Sequence, residues 1–243
     1  GWHAERVTEA SLALGLDDLV PIACRGSSHP ALLDHLARLI GARPGLAVLD
    51  GGCGLGGPMA WLAREHACSV VGVDVMPSAA QGARRLFPAG TVLVGCLTAL
   101  PFRASAFEAA WVLGTLSTIP EVGRAAGELR RVLVPGGRLA VYDFVAAATI
   151  PAGAPVANAF TAPGALARRL GAAGLRVLSS ARAPEVGTVP AAWREPILAV
   201  EREIAHCHGA DPRYRLEASE RAAFSRLQRS GRIVPWLLLA ERS

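Results

Sequence analysis

Two acids stand at the ends of apolar runs, and a cluster of glycines follows the first. Ala47-Val48-Leu49 leads into Asp50, and Ser69-Val70-Val71-Gly72-Val73 leads into Asp74. Between positions 51 and 57 lie five glycines: Gly51, Gly52, Gly54, Gly56 and Gly57. Met59-Ala60-Trp61-Leu62-Ala63 then takes up helical spacing, so the stretch reads as strand, tight turn and helix. Glycine in the turn permits φ > 0 and lets a ligand lie against bare backbone. The start of the following helix presents its amide end to whatever sits on the loop. The chemistry predicted is a cradle for a nucleotide-like ligand. Gly52-x-Gly54-x-x-Gly57 also fits the dinucleotide fingerprint G-x-G-x-x-G, which a lone motif cannot settle.

Other residue types invite reactive roles, each with a plainer alternative. His29 precedes a helix that leads to the first strand; it is a base or polar clamp, or a helix-start residue. Asp143 ends a later apolar run and either faces a substrate or is a structural strand-end acid. His206-Cys207-His208 suggests metal binding, but neighbouring helical residues diverge and no further spaced ligands appear, so no metal is expected. Cys53, inside the glycine loop, is explained by its small size. Trp193, His206 and Tyr214 are the candidates for a substrate pocket, since apolar pockets carry a few polar contacts.

These residues need a scaffold. Helices are expected over residues 4–14 and 29–41, the second capped by Ser27 or Ser28 with Pro30 in its first turn. Strands and helices then alternate: strand 46–50, helix 57–67, strand 69–74, a helix from Pro77 to Leu86, strand 91–94 and strand 108–113. A helix over 120–133, a Pro135-Gly136-Gly137 turn and strand 138–144 follow. A helix from Thr161 ends at Gly174, strand 175–179 comes next, residues 184–230 are mostly helical with proline breaks, and 233–240 is the last strand. Alternation of this kind predicts a parallel, doubly wound sheet, with ligands outside the carboxyl ends of the strands. Asp50, Asp74, Gly95-Cys96, Gly114-Thr115 and Asp143 all fall at those ends.

The chain of 243 residues suits one α/β domain. We divide it into N-terminal helices (1–45), a ligand-binding core (46–183), a helical cap insertion (184–230) and the last strand (231–243). Net charge is +5 and every basic residue is arginine, yet no basic patch forms, which argues against a nucleic-acid partner. Five scattered cysteines without C-x-x-C suit reduced thiols and a cytoplasmic location. No signal peptide opens the chain. Phe144 to Ala167 is uncharged, but its prolines and glycines deny it the continuous apolar character of a membrane span. A homodimer stays open.

Five stretches, the glycine motif and four further ones, resemble one family in order and spacing. Asp50-x-Gly52-x-Gly54-x-Gly56 resembles motif I of the class I S-adenosylmethionine-dependent methyltransferases. Val73-Asp74 resembles that family's ribose-binding acid. Gly95-Cys96-Leu97-Thr98-Ala99-Leu100-Pro101-Phe102 resembles its "GDA-x-x-LPF" loop. Phe107-Glu108-Ala109-Ala110 with Leu116 resembles "FD-x-V-x-x-x-x-x-L", and residues 129–139 resemble "LRRVLKPGGRL". The likeness covers roughly residues 28–145 and is strongest to the ubiquinone/menaquinone and natural-product group.

The resemblance implies a Rossmann-like seven-stranded sheet, mostly parallel with an antiparallel last strand, and bound S-adenosylmethionine, leaving as S-adenosylhomocysteine. It implies that Gly51, Gly52, Gly54 and Gly56 let backbone approach the methionine part, with Asp50 orienting the loop and the ligand's ammonium. Asp74 would accept the ribose hydroxyls, Val75 and Met76 would lie by the adenine, and Cys96, Leu97, Gly114 and Thr115 would complete the site. Cys96 stands where relatives carry an acid, Glu108 where they carry Asp, and Thr118 where many carry a histidine. The implied reaction is in-line methyl transfer to an O, N or C atom of a small, fairly apolar metabolite, of the kind found in secondary metabolism. Alignment and desolvation do much of the work, and a general base (His29 or Asp143) is optional. The alternatives are a cyclase or rearrangement enzyme on the same fold without methyl transfer, and a non-catalytic cofactor-binding partner subunit.

Overall fold

The computed structural model describes residues 1–24, 29–151 and 158–243. Seven strands form one sheet: β1 (Ala47–Gly51), β2 (Ser69–Asp74), β3 (Thr91–Val94), β4 (Phe107–Leu113), β5 (Leu133–Ala146), β6 (Leu175–Arg182) and β7 (Ile233–Arg242). Their order is β3-β2-β1-β4-β5-β7-β6. β1 pairs in parallel with β2 and β4, β2 with β3, and β4 with β5, whereas β7 runs antiparallel between β5 and β6. The doubly wound, mostly parallel architecture expected from the alternation is therefore present. Strand order reverses between β1 and β4, the place where such sheets open a crevice.

Successive residues of β1 serve opposite faces of the sheet. Val48 joins a core with Leu33 and Leu36 of α3 (Pro30–Ile40), Trp61 and Leu62 of α4 (Gly57–His66), and Trp111 of β4. Leu49 joins the opposite core with Val112, Leu139 and the apolar stripe Val122, Ala125, Ala126, Leu129 of α6 (Val122–Val132). The central strands are thus buried on both faces, which is why they read as continuous apolar runs.

A third cluster lies over the glycine loop. Val7 of α1 (Trp2–Ala13), Ile22 of α2 (Val20–Ala23), Ala79 and Leu86 of α5 (Pro77–Leu86), and Val200 and Ile204 of α8 (Ala191–His208) pack together with Leu55. Contact there is close: a Cβ on Gly57 would come within 2.5 Å of Ala23 C and Cys24 N. The remaining helices are α7 (Ala165–Ala172) and α9 (Pro212–Arg229). Among the described residues, no helix is long and apolar enough to cross a membrane.

Three local expectations need correction. Residues 135–137 do not separate a helix from a strand; β5 begins at Leu133 and takes them in as an irregularity, Phe107 pairing with Leu133 and Ala109 with Arg138. Ser27 and Ser28 lie outside the described residues, and His29 is the cap of α3. Pro196 does not break the helix: it sits inside α8, which runs on through it, whereas Pro212 does open a new helix, α9.

Candidate active site

The carboxyl ends of β1, β2 and β4 enclose a cavity of about 510 Å³. Gly52 contributes from the loop after β1; Asp74, Val75 and Met76 from the end of β2; Cys96 and Leu97 from the loop after β3; Gly114 and Thr115 from the end of β4. Those are eight of the twelve residues expected to bind a ligand. Asp50, Gly51, Gly54 and Gly56 stand behind this lining and shape it.

Asp74 is held in the wall by two backbone hydrogen bonds. It is buried, and each carboxylate oxygen accepts one backbone N–H: Oδ2 from Gly54 and Oδ1 from Met76, both at 2.9 Å. A carboxylate oxygen has a second lone pair, so both oxygens keep an acceptor site for a ligand diol. The bond from Gly54 also ties the glycine loop to β2. Gly52 N and Cys53 N add to this by donating to the Val73 carbonyl at 2.7 and 3.0 Å.

Two glycines are required by space. Gly52 has φ +79°, and a Cβ there would lie 2.3 Å from Thr115 Oγ1. A Cβ on Gly51 would lie 2.9 Å from Leu97 Cδ2. Close approach of the β1 loop to the segments after β3 and β4 is what forms the cavity floor. At Gly54, with φ +55°, the Cβ position is open space.

Asp50 lies in the sheet behind the loop at 1% exposure, paired across the ladder with Trp111. Its Oδ2 has no hydrogen-bond partner, nor has Nε1 of Trp111. Burial pushes the Asp50 pKa up to about 7 and the Asp74 charge adds to the rise; the nearby indole N–H and Met59 N–H oppose it. The indole is thus close enough to favour the anion without closing a hydrogen bond.

The wall contains the carboxylates of Asp74 and Glu121 and, among its described residues, no arginine or histidine. It is suited to a neutral or cationic ligand. The loop after β3 is fixed from α6: Glu128 Oε2 accepts the Leu100 N–H at 2.8 Å, while Arg131 donates to the carbonyls of Phe102 (2.7 Å) and Leu100 (3.1 Å). The "LPF" and "LRRVL" stretches are therefore two halves of one clamp. Glu108, in contrast, works at the opposite end of the sheet, accepting from Ala47 N and Arg43, which hold its pKa below the usual value.

The structure places the catalytic and substrate candidates elsewhere. His29 Nδ1 accepts the Ala31 N–H at 3.1 Å as the cap of α3, which leaves the proton on Nε2, 3.0 Å from the Thr188 carbonyl. Both ring nitrogens are thus committed to structure. Asp143, at 2% exposure, accepts the N–H of Ser117 (2.8 Å) and of Phe144 (2.7 Å) and does not line the cavity. Burial raises its pKa against the pull of those bonds. Trp193 is buried in the core with Phe144, Leu227 and Ile233. His206 is exposed on α8, and Tyr214 packs on the α1–α8 cluster. These three are outside the cavity lining because α8 docks on α1 and α2 and not over the cavity mouth. Among the described residues no group of three or more His, Cys, Asp or Glu is placed to hold a metal ion.

The wall also contains residues that sequence reasoning missed: Thr98 after β3, and Thr118, Ile119, Pro120 and Glu121 after β4. Leu116–Thr118 form a single 3₁₀ turn, which has no periodicity to read. The one available signal was Thr118, aligned with a histidine of the family it resembles.

Comparison with known proteins agrees with this geometry. The family model of the methyltransferase domain matches residues 49–141. Methyltransferase GfsG of Streptomyces halstedii is 32% identical over 125 residues, 49% of this chain and 45% of that protein. The 2-methyl-6-phytyl-1,4-hydroquinone methyltransferase of Synechocystis sp. is 35% identical over 104 residues, 42% of this chain and 33% of that protein. The matched stretch thus spans less than half the length of either curated relative. Among solved structures, the [4+2]-cyclase SpnF is similar over 100% of this chain and 94% of its own, with a TM-score of 0.73 at 23% identity. Geranyl diphosphate C-methyltransferase from Streptomyces coelicolor covers 88% of this chain and 80% of its own, with a TM-score of 0.64 at 18% identity. At those identities the likeness is one of fold.

Proposed function

We propose that the chain, whose residues 49–141 match the methyltransferase domain, is a class I S-adenosylmethionine-dependent methyltransferase that transfers a methyl group from S-adenosylmethionine to a small, fairly apolar metabolite. The observation that carries the reading is Asp74. It is buried at a strand end, held by two backbone N–H bonds and left with one open lone pair on each oxygen inside the cavity. When bound, the cofactor supplies an electrophilic methyl carbon on a sulfonium. Asp74 accepts the two ribose hydroxyls, a charge-assisted pair. Met76 and Leu97 offer apolar contact to the purine. The anionic wall suits the sulfonium charge. The open backbone of the glycine loop seats the methionine part, with the Asp50 carboxyl behind it. Neither His29 nor Asp143 is placed to remove a proton, so alignment and exclusion of water carry the reaction. The phytyl hydroquinone in one relative's name supports an apolar acceptor. Secondary metabolism in the cytoplasm, without nucleic acid, is the setting we infer.

Calorimetric titration with S-adenosylhomocysteine tests the site, and release of S-adenosylhomocysteine during turnover of an acceptor panel tests the reaction. The rival reading keeps the same cofactor site but runs a cyclisation or rearrangement. It predicts acceptor conversion with no S-adenosylhomocysteine formed. A non-catalytic partner subunit would bind the cofactor and turn over nothing.

A further inference from the structure

The segment from Thr115 to Glu121 walls the cavity but has little internal structure to hold it. Its only regular element is the turn Leu116–Thr118, and a single turn is marginal without outside support. Thr118 Oγ1 donates to the Thr115 carbonyl at 2.7 Å, which stiffens the turn internally. The two ends of the segment are tied to their neighbours, Thr115 Oγ1 to the Gly52 carbonyl at 3.5 Å and the Glu121 carbonyl to the N–H groups of Arg124 and Ala125, and in the turn between them the long-range hydrogen bonds converge on Ser117. The Ser117 N–H donates to Asp143 Oδ2 at 2.8 Å. Its Oγ accepts from Asn158 Nδ2 at 3.0 Å. Its carbonyl accepts the Ala159 N–H at 2.6 Å. Ser117 is 9% exposed, so water is poorly able to replace these partners.

We propose that Asp143 and Asn158 are positioning residues, which grip Ser117 through different atoms and so fix the placement of Thr115 and Thr118 in the cavity wall. The inference rests on the reading of the cavity as the S-adenosylmethionine site. It assigns the buried acid of β5 a role other than proton transfer: the carboxylate is an anchor, its second oxygen occupied by the Phe144 N–H at 2.7 Å. Burial makes such a carboxylate costly unless its bonds are made, so the anchor and the turn are mutually dependent. Asn158, which follows β5 in the chain, reaches the same serine, so two separate parts of the fold hold one point of the turn.

The test is a double-mutant cycle on the full chain with Asn158→Ala, Ser117→Ala and the pair, read by calorimetric affinity for S-adenosylhomocysteine and by the melting temperature of the ligand-free protein. Each single change is expected to weaken binding about 5-fold, the equivalent of one neutral hydrogen bond. The pair should lose about the same, not the roughly 25-fold of independent sites, because both changes delete one shared bond. The KM for S-adenosylmethionine should rise in step with the Kd while kcat changes less than twofold. Asp143→Asn, which keeps shape but loses charge, should weaken binding by more than either single variant. If it does not fold, the cycle alone decides. Two results overturn the proposal: singles that bind like the parent while melting lower, which describes a merely structural bond, or losses that multiply. Failure of the parent chain to bind S-adenosylhomocysteine would instead remove the functional reading beneath it.

Discussion

Gly52→Ala is the sharpest perturbation available, because two separate costs can be read from one position. The backbone there has φ +79°, which an alanine resists by about 1–2 kcal/mol. The new methyl would also lie 2.3 Å from Thr115 Oγ1, 2.5 Å from Cγ2 and 2.9 Å from Cβ. No rotation of Thr115 clears its own Cβ, so the segment after β4 has to shift, an overpacking cost of about 1–3 kcal/mol. Together the substitution should destabilise the ligand-free chain by about 2–5 kcal/mol, a fall in Tm of roughly 5–15 °C for a chain of this size. Because the displaced segment walls the cavity, affinity for S-adenosylhomocysteine should fall as well. Adding Thr115→Ala removes the two nearest atoms and should restore most of the overpacking part, leaving the remaining Cβ contact at 2.9 Å and the φ part. Differential scanning calorimetry of the two variants, with titration of the ligand, measures each quantity. A Gly52→Ala melting point within a degree of the parent would refute the close-approach reasoning. Failure of Thr115→Ala to restore any stability would refute the assignment of the clash to Thr115.

Asp74→Ala should weaken S-adenosylhomocysteine binding by about 1.5–3 kcal/mol, the range for a hydrogen bond to a charged group, and calorimetry with unchanged affinity would remove Asp74 from the site. Asp50 is raised to about 7 when folded, so between its unfolded value and that pH the native state holds a proton the unfolded chain has lost. Its contribution to stability is therefore complete at low pH and falls by up to about 4 kcal/mol as pH rises to 7. Urea unfolding of Asp50→Asn should lack that slope, and equal pH dependence in parent and variant would sink the assignment. Trp193→Ala should cost about 3–5 kcal/mol as a core deletion with ligand affinity unchanged; a folded variant that binds the ligand weakly would return Trp193 to the pocket.

The sheet was legible because its signals are redundant. β1, β2 and β4 announce themselves by apolar runs and by the acid or glycine that ends them, and each is buried on both faces as such runs require. The antiparallel placement of β7 was a property of the resembling family, not of the residues 233–240 themselves. Where the reading slipped, a local signal met a tertiary one. Pro135-Gly136-Gly137 has the chemistry of a turn, and Gly136 does take φ +76°, yet pairing with β4 at Leu133 before it and from Arg138 after it draws the stretch into β5. The cap of α3 went to a histidine because the imidazole Nδ1 accepts an N–H as a serine oxygen does, a choice that residue preferences rank low.

The site divides along the same line. Asp74, Met76, Leu97 and Thr115 were readable because each sits at a fixed offset from a strand end, and strand ends converge on the crevice whatever the side chains are. Glu121 and Ile119 were not, since a 3₁₀ turn carries no pattern and its position is set by Asp143 and Asn158, far away in sequence. The same bonds explain why Asp143 looked catalytic. An acid at the carboxyl end of a central strand has to be either open to the ligand or satisfied from within, and the sequence does not contain the distance that decides. Trp193, His206 and Tyr214 pose the matching problem for an insertion: aromatic and imidazole groups suit a pocket and a helix interface equally well. What selects the interface is the apolar face Val200 and Ile204, which finds its partners on α1 and α2 over the glycine loop. In this fold the 184–230 insertion and the N-terminal helices therefore meet the cavity from the back of that loop, while the walls after β3 and β4 line it directly.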